Sequence, residues 1–161
     1  MLLRARGTGV ALETLPLLWT VFNLSKVICS YFGGSLSDRV PRARLIVSGW
    51  LVYALTYLAF SLANRAWHAW VLFVVYGTYY GLSEPAEKAL VRDLAPPELR
   101  SRAYGLYNFV LGAAALPAGL MTGFLWQTVS PFVALATGAA LAGVASVLLL
   151  AWQSSEVGLS R

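Results

Sequence analysis

The run AYGLYNFVLGAAALPAGLMTGFLWQTVSPFVALATGAALAGVASVLLLAWQSS, residues 103–155, holds 53 consecutive residues without an Asp, Glu, Lys or Arg. A soluble core helix needs only an apolar stripe along one face, whereas a bilayer-crossing helix needs about 20 predominantly apolar residues. The run is too long for one crossing and suits two, divided at the polar stretch from Gln127 to Pro131. Two more charge-free gaps precede it, 20 residues from Leu45 to Asn64 and 18 from Ala66 to Ser83. Charged residues make up only 12% of the 161, against about 25% in an average soluble domain. Mean hydropathy is +0.67. A soluble enzyme, a nucleic-acid module and a disordered tail are all poor explanations of this pattern. The chain reads as an all-α integral membrane protein.

Five spans can be drawn in one membrane domain covering residues 1–161: about 15–36, 45–63, 67–91, 104–126 and 133–152. Thr14 is a candidate N-cap for the first, with Pro16 in the first turn, where a missing N–H does no harm. Ser130 followed by Pro131 is a good start for the fifth. No segment shows the ten-residue alternation of a barrel strand. Arg39, Arg42 and Arg44 follow the first span, and Arg92, Arg100 and Arg102 lie between the third and fourth; the opposite loops hold only Arg65. That bias predicts two cytoplasmic basic loops and a cytoplasmic C-terminus in the plasma (inner) membrane. Arg4 and Arg6 fall on the wrong side, which a truncated N-terminus would explain. Trp67, Trp70, Trp126 and Trp152 lie near span ends, as an interfacial aromatic belt does. Small residues four apart mark Gly77 and Gly81, then Ala115, Gly119 and Gly123, then Gly138, Ala142 and Ser146. Such spacing lets helix backbones approach closely.

Several chemistries drop out. The net charge of +5 comes from short loop clusters, so nucleic acid is not an expected partner. Cys29, the single cysteine, allows no intrachain disulfide. Glu13 interrupts the N-terminal apolar stretch and no small-residue cleavage site follows, so a removed signal peptide is not expected. His68 has no neighbouring Cys, Asp or Glu, and no metal or catalytic constellation appears. No Gly-rich phosphate loop followed by Lys-Ser/Thr exists, which predicts no ATP site. The chain is not expected to be an enzyme, and no cofactor is called for.

The loop after the first span reads GGSLSDRVPRARL, residues 33–45. It resembles the signature loop of the major facilitator superfamily, G-x-L-x-D-R-x-G-R-[RK]. Gly34, Leu36, Asp38, Arg39 and Arg42 match; Pro41 stands in place of the usual Gly and Ala43 in place of the second basic residue. The stretch LSEPAEKALVRDLAPPELRSRAYGLYN, residues 82–108, looks like the tenth-to-eleventh helix connection of bacterial members. By order, the five spans are similar to helices eight to twelve of a twelve-helix transporter, with Leu2 to Gly9 as the tail of helix seven. The resemblance implies that the loop braces the contact between the two halves in the outward-open state. It also implies helices eight, ten and eleven at the cavity, nine and twelve outside. Read physically, Gly34 allows close helix contact, Asp38 can accept from Arg side chains or helix N–H groups, and Arg39, Arg42 and Arg44 can pair with Asp93, Glu98 or anionic headgroups.

Lys26 is the most pointed single residue. At ~1.5 Å per residue it lies ~18–20 Å from both Glu13 and Asp38, near mid-bilayer, where a cation costs at least ~2.5–3.5 kcal/mol without a cavity or partner. Trp19, Asn23, Lys26 and Ser30 share a helix face. Lys26 therefore lines a cavity, binding an anionic group or a coupling carboxylate, or else it snorkels inward past a helix that ends early at Gly33 and Gly34. In the third span Tyr76, Tyr80, Glu84 and Glu87 share a face, and Glu84 with Lys88 forms an i,i+4 pair in the favourable order. Glu84 is either a protonation site for proton-coupled transport or, the favoured reading, a structural partner of Lys88 or Arg92. Pro85 frees a carbonyl one turn back and can bend the helix. Asn108 and Pro117 suit a cavity helix, whereas the fifth span, with Thr137 and Ser146 alone as polar groups, should face lipid.

These readings converge on secondary active transport of a small solute, with this chain forming most of one half. One half cannot alternate access alone, so the chain is expected to be a fragment, a half-transporter or a short paralogue. Its partners would be the bilayer, the solute, and a missing N-terminal half or second copy. The alternative is a non-transporting membrane protein that oligomerises or scaffolds through its small-residue faces.

Overall fold

Pro131 opens the last helix with Ser130 before it, and the Ser130 hydroxyl accepts from the Val133 N–H at 3.2 Å, the side-chain cap that this pair of residues predicts. The structure is a computed structural model describing residues 2–159, with side chains to residue 153 except at residue 3. A short α1 (Leu2–Gly7) and a 3-10 turn (Leu12–Thr14) lead into α2 (Leu15–Ser37). Then come α3 (Arg42–Leu62), α4 (Ala66–Leu94), a 3-10 turn (Pro97–Leu99), α5 (Arg100–Thr128) and α6 (Pro131–Leu159). The described residues contain no strand. Each long helix carries one expected span. The helices run past several span ends, starting at Arg42 and Arg100, because a charge ends the hydrocarbon crossing without breaking the hydrogen-bond ladder.

Two starts differ from expectation. Thr14 holds the cap position of α2 but makes no cap bond; its hydroxyl donates to the Ala11 carbonyl at 2.8 Å. Pro41 stands at the N-cap of α3, with φ −52°. The loop of residues 38–41 needs no left-handed residue, so proline replaces the family glycine without strain. Among the described residues the one positive φ is at Gly9, +94°, where the chain turns from α1 towards α2.

α2, α3, α5 and α6 are each long and apolar enough to cross a membrane. α4 has 29 residues, about 43 Å at 1.5 Å each, but falls short of those four in apolarity. It packs between α2 and α3. The spatial order is α2, α4, α3, α6, α5, with α5 also touching α4. One core cluster joins Leu18, Phe22, Phe60, Phe73 and Leu135; another, nearer the basic loops, joins Leu45, Ile46 and Ala86.

The glycines of α4 work as their spacing predicts. A methyl group on Gly77 would lie 2.5 Å from the Ser25 hydroxyl, and one on Gly81 would collide with Cys29. In α2 it is Gly33, not Gly34, that makes the close approach. A Cβ on Gly33 would overlap the Gly81 carbonyl oxygen, whereas Gly34 faces open space. Pro85, four residues on, has no N–H for that carbonyl, so Gly81 O is free to lie against α2. α4 stays continuous through Pro85, and α2 continues past Gly33 and Gly34 to Ser37. In α6, Gly138 packs on Tyr53 and Tyr57, and Ala139 and Ser146 are buried. α6 thus buries one face on α3 and leaves Leu141, Val144, Val147 and Leu148 exposed. Gly119 and Gly123 of α5 meet nothing within 4 Å; within this chain their small-residue face is unused.

Arg4 gains a structural reason for its place opposite the basic loops. Its guanidinium donates to the carbonyls of Phe60 (3.2 Å), Ser61 (2.9 Å) and Ala63 (3.0 Å). Carbonyls at a helix C-terminus lack intrahelical donors; the Phe60 carbonyl also accepts from the Ala63 N–H at 3.3 Å. Arg4→Ala is expected to destabilise the bundle by about 1–2 kcal/mol, readable as a lower unfolding temperature in detergent; Arg6→Ala, at an exposed position, should leave it unchanged.

Candidate functional site

The third span's charged end meets α2 at mid-length. Lys26 Nζ lies 2.8 Å from Glu84 Oε2, and Lys88 Nζ lies 2.8 Å from Glu84 Oε1. The Lys26 ammonium also stands 4.7 Å from the centre of the Tyr80 ring, on the electron-rich face that attracts cations. Lys26 does not simply snorkel inward; its ammonium is held by a carboxylate and a ring. Glu84 does pair with Lys88, as favoured from the sequence, but the pair is a triad completed by Lys26. Arg92 instead lies 3.6 Å from Asp93.

These groups line a cavity of about 320 Å³ between α2, α4 and α5, together with Glu87, Tyr107 and Asn108. A second cavity, about 370 Å³, adds Ser30 and Pro85 to Lys26, Glu84 and Lys88. Of the residues singled out from the sequence, Lys26, Tyr80, Glu84 and Asn108 therefore come together. Trp19 and Asn23 line neither cavity. Asn23 donates to the Trp19 carbonyl at 2.8 Å, and Trp19 packs on Phe22. Tyr76 sits inside an aromatic cluster with Phe22, Tyr53, Tyr57, Tyr79 and Tyr80, a packing position.

One part of the site escaped the sequence reading. Glu87 Oε1 accepts from Trp50 Nε1–H at 3.2 Å and Oε2 accepts from the Tyr107 hydroxyl at 2.6 Å. Its spacing from Glu84 put Glu87 on the right face. Trp50 of α3 and Tyr107 of α5 carry no local signal that they converge on it.

The signature loop is built unevenly. Arg42 pairs with Asp93 and donates to the Ala89 carbonyl at 2.8 Å, tying the start of α3 to the end of α4. Asp38 and Arg39 are exposed and, among the described residues, make no ion pair. Arg42→Gln is expected to cost about 1 kcal/mol of stability, and Arg39→Gln less than about 0.5 kcal/mol. Unfolding temperatures of the two variants check this contrast.

A bundle of bilayer-length helices with paired charges beside a cavity defines a polytopic membrane protein. The family model described as Major Facilitator Superfamily matches residues 2–158. The chain belongs to that superfamily. It is 34% identical over 133 residues to an uncharacterised MFS-type transporter of Methanocaldococcus jannaschii, covering 83% of this chain and 33% of the relative. It is 33% identical to the multidrug resistance protein MdtH of Citrobacter koseri, covering 78% of this chain and 32% of that protein. A Na(+), Li(+), K(+)/H(+) antiporter of Planococcus maritimus is 29% identical over 68% of this chain and 26% of its own length. The chain spans about a quarter to a third of the length of these curated relatives.

Proposed function

We propose that the chain supplies most of one half of a secondary active transporter, whose solute passes the Lys26–Glu84–Lys88 triad. The observation that carries this reading is an ion-paired cluster joining α2 to α4, with side chains a third to a half exposed, facing a cavity that Tyr80 and Asn108 also line. Intramembrane charges are costly and face interiors or pathways. Two relatives named for drug resistance and for cation/proton antiport support transmembrane transport as the general activity. The second half is an N-terminal six-helix unit or another copy of the chain, and alone the chain does not transport. Its basic loops and C-terminus are cytoplasmic, in the plasma membrane; it needs no cofactor or ATP, contacts lipid and no nucleic acid, and is not an enzyme.

The test is to express the chain alone and together with the N-terminal half of the Methanocaldococcus relative. Ethidium efflux from cells and sodium-driven proton flux in vesicles are the readouts. Flux from the pair but not from the chain alone supports the reading. A properly inserted pair that moves neither probe counts against it. The second reading, an oligomerising scaffold, draws on the unused Gly119 and Gly123 face of α5; self-association of an inactive chain would favour it.

A further inference from the structure

α5 is held differently from the other long helices. None of its residues is buried, and its glycines meet no neighbouring atoms. Its side-chain ties to α4 are two tyrosine hydroxyls, Tyr104 to the Lys88 carbonyl at 2.9 Å and Tyr107 to Glu87 at 2.6 Å. Because Glu87 also accepts from Trp50, one carboxylate joins α3, α4 and α5. Glu84 has two ammonium groups at 2.8 Å. Glu87, among the described residues, has no cation within ion-pair distance and is met by two neutral donors.

We propose that Glu87 binds and releases a proton, and that its ionised form positions α5, and with it Asn108, against the cavity. Hydrogen bonds to an ionised acceptor are roughly twice as strong as neutral ones. An ionised Glu87 accepts from Trp50 and Tyr107 together. Once protonated, one oxygen becomes a hydroxyl and both bonds lose their charge assistance. The groups facing it are Lys26 from α2, Tyr79, Tyr80, Glu84 and Lys88 from its own helix, and Tyr107 from α5; α3 contributes Trp50, which does not titrate. Counting carboxylates and ammonium groups, the cavity is neutral with Glu87 ionised and carries one positive charge with it protonated. The proton thus sets both the position of one wall and the charge inside. This deepens the transport reading, but its readouts need no solute, so either can fail without the other.

The full chain is reconstituted in phosphatidylcholine vesicles and brought from neutral to acid pH. Infrared difference spectra report the side-chain carboxyls that protonate, seven in the chain, with the Glu87 band taken as the component that Glu87→Gln removes, and hydrogen exchange reports the amides of residues 104–111. Acid is expected to bring up the carboxyl band and to speed exchange about five- to tenfold with the same midpoint. Glu87→Gln should lose the band and exchange fast at every pH, while Glu84→Gln keeps the band. Tyr107→Phe, which retains the carboxylate and decides the matter should Glu87→Gln fail to fold, should keep the band with exchange fast throughout. A wild-type α5 indifferent to pH, a carboxyl spectrum that Glu87→Gln leaves unchanged, or normal coupling in Tyr107→Phe overturns the proposal.

Discussion

Lys26→Met is expected to lower solute flux through the proposed transporter, assembled from both halves, roughly 10- to 30-fold while leaving membrane insertion intact. The substitution keeps the length of the side chain and removes the ammonium that meets Glu84 Oε2 at 2.8 Å. Glu84 is left with Lys88, which lies on its own helix, so α2 loses its ionic contact with α4. An interaction with a charged group contributes about 1.5–3 kcal/mol. Each side chain is about a third exposed, which trims that to about 1.5–2 kcal/mol, and every 1.36 kcal/mol is tenfold in rate. Insertion should survive because methionine is easier than lysine to place in hydrocarbon. A second variant separates pathway from scaffold. Adding Glu84→Gln removes the carboxylate that the first change leaves with Lys88 alone, so unfolding temperature should fall little further while ethidium efflux and proton flux stay low. Wild-type flux in Lys26→Met would show that the triad serves packing alone.

Two adjacent glycines should respond in opposite ways. Gly33→Ala is expected to destabilise the α2–α4 contact by about 3 kcal/mol or more, because its new methyl group would occupy the space of the Gly81 carbonyl oxygen. A backbone atom cannot swing aside as a side chain can, and overpacking of this sort falls at the upper end of its usual range. Gly34→Ala meets nothing within 4 Å and should be neutral or slightly stabilising, since alanine favours the helix by up to about 1 kcal/mol. Thermal unfolding in detergent measures the difference. Cys29, packed against Gly81, offers a local readout: its maleimide labelling should speed up in Gly33→Ala and stay unchanged in Gly34→Ala. Equal behaviour of the two variants would contradict the close contact.

The signature loop matched Gly34 by family pattern, yet the contact falls to Gly33. A pattern of residue types specifies that a small residue is wanted near the helix end. It does not specify the rotation of α2 about its axis, and one residue changes the direction faced by about 100°. The stripe of Trp19, Asn23, Lys26 and Ser30 shows the same thing. Its members do share a face, but only Lys26 and Ser30 of the four line the cavities beside α4. The site was legible where a charge stood in an apolar span, at Lys26 and Glu84. It was not legible at Trp50 and Tyr107, which are ordinary membrane residues until a carboxylate from another helix reaches them.

The sequence by itself determined the membrane class, the number and order of the long helices, and the superfamily. The free energy of placing residues in hydrocarbon accumulates along the chain, so charge-free length is readable without knowing any neighbour. Only the tertiary structure decided which polar groups meet. Glu84 holds Lys26 as well as Lys88, Arg42 finds Asp93, Arg4 closes the end of α3, and Glu87 gathers Trp50 and Tyr107. Those pairings depend on helix rotation and on close approaches such as Gly33 to Gly81. Both are set by packing between helices that the chain brings together from distant positions.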